Sequence, residues 1–73
     1  MTNKKIVGKY FEDFNGIIKI IGIHNEYIYD YAECVIDESG NIVETENSGY
    51  ITSQELTHYT EIYPRAAAKP PTY

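Results

Sequence analysis

The 73-residue chain has no tryptophan, a single cysteine and only three prolines. Each shortage excludes something. Cys34 alone cannot close an internal disulfide, so burial and hydrogen bonding have to hold the fold, and the thiol reads as a buried free cysteine. No apolar stretch approaches the roughly 20 residues that cross a bilayer as a helix. After Met1-Thr2-Asn3-Lys4-Lys5, only Ile6 and Val7 precede Gly8, which is too little for the apolar centre of a secretion signal. The expectation is a cytoplasmic protein without membrane contact. The chain contains no Asn-x-Ser/Thr sequon and no internal repeat.

Bases are scarce and unevenly placed. Six stand against 11 acids, for a formal charge of -5. Lys4, Lys5, Lys9 and Lys19 lie near the start, Arg65 and Lys69 near the end. Between Ile20 and Pro64 there is neither Lys nor Arg, yet Glu26, Asp30, Glu33, Asp37, Glu38, Glu44, Glu46, Glu55 and Glu61 all fall there. Such a middle repels phosphate backbones and favours basic protein surfaces, so direct nucleic-acid binding is not expected.

Catalytic equipment is missing as well. His24, Cys34 and His58 lack the close spacing of a metal site. The acidic run 37–41, with Glu44 and Glu46 after it, lacks the alternating ligands and terminal glutamate of a calcium loop. No serine or cysteine is placed beside a histidine in a recognisable nucleophile pattern, and no glycine-rich phosphate cradle occurs. The sequence therefore calls for no enzyme activity, no cofactor and no metal.

What is present reads as strands. Asn15-Gly16 between Phe14 and Ile17 is the strongest local signal for a type I′ hairpin turn. That turn would set Tyr10 against Ile21, Phe11 against Ile20 and Glu12 against Lys19. Next, "YIYDYAECVI" alternates, with Tyr27, Tyr29, Tyr31, Glu33 and Val35 on one face and Ile28, Asp30, Ala32, Cys34 and Ile36 on the other. The second set is the smaller and more core-like, so the tyrosine face is expected at an edge or partly open. "DESGN" predicts a turn with Gly40 at positive φ, and "IVETE" a returning strand. Thr52 with Glu55 three residues on, flanked by Ile51 and Leu56, forms a capping box and hydrophobic staple. One to two helical turns follow over residues 53–59, and "TEIY" returns as a short strand.

The expected fold is mainly β: a small twisted antiparallel sheet of about four strands with one short helix near the C-terminus. A partly open SH3-like barrel is the nearest common form. Residues 1–4 read as a flexible arm, 5–63 as a single domain and 64–73 as a flexible Pro/Ala-rich tail.

Eight tyrosines supply most of the aromatic mass. Acids threaded among Tyr27, Tyr29 and Tyr31 point to a protein-binding face, with Glu26, Asp30 and Glu33 supplying its charge. Lys4, Lys5, Ile6 and Val7 form a second candidate patch. In length, acidity, expected location and lack of catalytic residues, the chain resembles the small bacteriophage proteins that bind host bacterial RNA polymerase. The resemblance implies a monomeric, non-enzymatic inhibitor of transcription acting through contacts with polymerase subunits. Two alternatives stand beside it: an SH3-like adaptor module that binds another protein or peptide, and an acidic mimic of DNA.

Overall fold

A computed structural model describes residues 4–64. Five antiparallel strands form one open sheet: β1 (Tyr10–Asp13), β2 (Gly16–Ile23), β3 (Ile28–Ile36), β4 (Ile42–Thr52) and β5 (Thr60–Ile62). Their order is β4-β3-β2-β1-β5. A 3-10 turn at Lys4–Ile6 and the helix α1 (Ser53–Leu56) complete the described elements. The mainly β class with one short late helix is as expected. The strand count rises to five because Thr60–Ile62 pairs with β1. Neither described helical segment is long and apolar enough to cross a membrane.

The first hairpin forms in a different register from the one read in the sequence. Tyr10 faces Lys19, Phe11 faces Ile18, Glu12 faces Ile17 and Asp13 faces Gly16, so the loop is Phe14-Asn15. Among the described residues only glycines have positive φ, which rules out a type I′ turn through Asn15. The deciding group is Asp13, whose Oδ1 accepts from the Asn15 and Gly16 N–H groups at 2.8 and 3.2 Å. That carboxylate closes the turn one residue early, and Gly16 takes φ +151° on the way into β2. A slip of two positions keeps every side chain on its expected face.

The core lies on one face of the sheet. Phe11, Ile18, Ile20, Tyr29, Ile51 and Leu56 form its buried cluster, with Ile6, Ile23, Tyr31 and Tyr59 packed against it. The expectation that the tyrosine face of β3 stays open is thus overturned for Tyr29 and Tyr31. Strand β3 is flanked on both sides, by β2 and β4. Its larger rings meet Ile20, Ile51 and Leu56, where they remove the most apolar surface from water. Ala32 and Cys34 are buried too, but on the outer face. In register they stand between Lys19 and Ser48 and between Ile17 and Glu44, and the Lys19–Glu44 ion pair, at 2.8 Å, crosses that face.

The Gly40 turn and the helix cap hold, although α1 ends at Leu56, short of the expected residue 59. Gly40 sits at φ +88°, and Asp37 Oδ1 accepts from the Ser39 and Asn41 N–H groups. Strand β4 runs further than expected, through a bulge over residues 45–47 opposite Glu33, to the cap of the helix. There the Glu55 N–H donates to Thr52 Oγ1 and the Thr52 N–H to Glu55 Oε1. Ile51 and Leu56 close the staple, both buried. The segment after β4 leads to β5, whose register sets Thr60 beside Glu12.

Candidate functional site

Strand length places one group of exposed apolar side chains. Strand β2 contacts β3 only as far as the Ile17–Cys34 pair. Strands β3 and β4 continue past it, pairing Val35 with Val43 and Ile36 with Ile42. Among the described residues no third strand lies beside this two-stranded ribbon, and its aliphatic side chains are left open: Val35 is 51% exposed, Ile36 60% and Val43 39%. The neighbouring β1–β2 loop holds Phe14, 95% exposed. Val35 and Val43 share the core-side face of the ribbon, while Ile36 and Ile42 share the outer one. Asp37 and Glu38 in the connecting turn rim this apolar end.

A cleft of about 410 Å³ opens beside it. Alternation along β3 brings Tyr31, Glu33 and Val35 to the cleft, Asp13 reaches it from β1, and Tyr59 closes it from the segment after α1. The Tyr31 ring lies over Gly49, where a Cβ would come within 2.9 Å of its Oη. Burial first, then the charge of nearby Asp13, pushes the Tyr59 phenol above its ordinary 10.0.

The outer face carries different chemistry. Lys19 Nζ bonds Glu44 Oε2 and lies 5.6 Å from the centre of the Tyr10 ring. The bond to Glu44 raises the lysine pKa above 10.5. Burial raises the Cys34 thiol above 9.0, and its Sγ–H points to the Ala32 carbonyl at 3.7 Å. A protonated, covered thiol is a poor nucleophile. Glu12, expected to face Lys19, faces Ile17 instead. Among the described residues no group of three or more His, Cys, Asp or Glu side chains is placed to hold a metal ion.

The residues singled out in the sequence do not form one surface. Tyr29 is in the core and Tyr31 half-buried against it, with Glu33 exposed on the same side. Asp30 alternates to the outer face, opposite Tyr50. Glu26 and Tyr27 lie in the β2–β3 connection at the other end of the sheet, where Tyr27 is 69% exposed. Lys4 opens the 3-10 turn, Lys5 is exposed, Ile6 packs on the core and Val7 is partly exposed. The tail residues 65–73, with Arg65 and Lys69, lie outside the described residues. Phe14, Asp13, Val43 and Tyr59 escaped the sequence reading. The Asp13-x-Asn15-Gly16 spacing could have revealed Phe14 as a loop residue, since an aspartate two residues before a turn amide often caps it.

No family model, no curated protein and no solved structure matches the chain.

Proposed function

We propose that the protein is a non-enzymatic, protein-binding regulator whose contact surface is the hairpin end of the sheet. The observation that carries the reading is the ribbon of Val35, Ile36, Ile42 and Val43 with the exposed Phe14 beside it. A chain of this size has little apolar surface to spare, and an exposed cluster at one end gives a partner a desolvated centre. Asp13, Glu33, Asp37 and Glu38 surround that centre with negative charge, which suits a partner surface with basic groups around an apolar one. Bacterial RNA polymerase is the first candidate partner, on the strength of the resemblance in size, acidity and missing catalytic residues. Inhibition of transcription in the host cytoplasm, by a monomer, is the corresponding activity.

The test is equilibrium binding to purified bacterial RNA polymerase, run beside transcript yield from a defined promoter. Stoichiometric binding with reduced yield is expected, and binding should weaken with salt as the acidic rim is screened. No binding, with yield unchanged at protein concentrations well above that of the polymerase, would remove the polymerase assignment.

A further inference from the structure

We propose that the cleft between β3 and Tyr59 receives the guanidinium of an arginine side chain from a partner protein. This rests on the protein-binding reading above and assigns the charged part of that contact. The cleft, at about 410 Å³, has room for an arginine side chain. Two of its walls are the half-buried Tyr31 and Tyr59, and tyrosine faces attract a cation held within about 6 Å of the ring centre. Its carboxylates are Asp13 and Glu33, while no Lys, Arg or His among the described residues lines it.

Two of the described bases are already paired. Lys19 is bonded to Glu44 on the outer face, and Lys9 pairs with Glu61 at 3.6 Å. Asp13 is already fixed, because its Oδ1 accepts two backbone N–H groups in the hairpin loop. Glu33 is held at the backbone, where its carbonyl accepts from Thr45 Oγ1 at 3.0 Å across the β4 bulge. The Asp13 carboxylate thus stands in place before a ligand arrives, which lowers the ordering cost of binding. Arginine fits this set better than lysine. Its planar, weakly hydrated head stacks on aromatic rings and bonds carboxylates through several N–H groups at once. Val35, partly exposed at the cleft, offers an apolar surface for the methylene stem.

An NMR titration of the full chain tests the assignment, with a blocked tripeptide carrying a central arginine and the same peptide carrying neutral citrulline. Saturable shifts should concentrate at Asp13, Tyr31, Glu33, Val35 and Tyr59, and citrulline should bind about fivefold or more weakly. Glu33→Gln, an exposed and isosteric change, should weaken arginine binding about two- to fivefold without disturbing the rest of the spectrum. Equal binding of citrulline, or shifts spread evenly over Glu38, Glu44 and Glu61, would overturn the proposal. The two readings separate cleanly. Arginine binding in the cleft without polymerase binding supports the cleft and removes only the polymerase assignment. Polymerase binding that Phe14→Ser weakens and Glu33→Gln leaves unchanged keeps the protein-binding reading and overturns the cleft.

Discussion

Gly16 and Asn15 are neighbours with different backbone demands. Gly16 occupies φ +151°, a region that side chains with a Cβ rarely adopt, although nothing within 4 Å would obstruct that Cβ. Gly16→Val should therefore cost about 1–3 kcal/mol through backbone strain alone. Asn15 has negative φ, so Asn15→Ala should stay within about 0.5 kcal/mol of the parent. Urea midpoints of the two variants check this: a large loss in Asn15→Ala, or none in Gly16→Val, would contradict the observed turn. The dipeptide showed in the sequence that a hairpin forms, but not its register. Asn-Gly suits both loops, and the choice depends on where the Asp13 carboxylate lands, a contact that residue preferences alone do not weigh.

At the scale of an element, α1 is legible because everything that defines it is local. Thr52, Glu55, Ile51 and Leu56 lie within six consecutive positions and make the reciprocal bonds and staple contact that their types imply. Thr52→Ala should lower stability by about 0.5–2 kcal/mol in thermal or urea unfolding, and a change indistinguishable from zero would mean another group caps the helix. Strand β3 was harder to read. Its period-2 pattern offered two usable faces, and local sequence could not say that β3 lies between β2 and β4. The covered face is set from elsewhere in the chain, by Ile6 and by Leu56 of α1, which sends Tyr29 and Tyr31 to the core and leaves Ala32 and Cys34 beneath the Lys19–Glu44 pair. The apolar ribbon was hidden for the same reason. It exists because β3 and β4, at nine and 11 residues, overrun β2, a comparison of partners that local patterning does not contain.

For the molecule as a whole, three shifted groups among the described residues shape the response to alkaline pH. Cys34, Tyr59 and Lys19 all have pKa values raised in the fold, above 9.0, 10.0 and 10.5 respectively. A group with a raised folded pKa contributes its full stabilisation below the unfolded value and loses it as pH rises through the folded one. Stability should thus decline from about pH 9 upward, first through Cys34. Cys34→Ala should move the onset toward pH 10, as read from urea midpoints across the series; an onset unmoved by the change would contradict the assignment. The proposed binding surface is likewise a property of the whole, assembled from the tips of two hairpins and the segment after α1. The sequence reading placed the aromatic contact at Tyr27, Tyr29 and Tyr31, whereas the exposed apolar cluster centres on Phe14, Val35, Ile36 and Val43. Comparing the dissociation rates of Phe14→Ser and Tyr27→Ser from purified bacterial RNA polymerase separates the two ends of the sheet. Phe14→Ser should retain the parent's stability and dissociate about tenfold faster or more, with Tyr27→Ser close to the parent. Unchanged dissociation in Phe14→Ser, with the loss falling on Tyr27→Ser, would contradict the hairpin end as the contact surface.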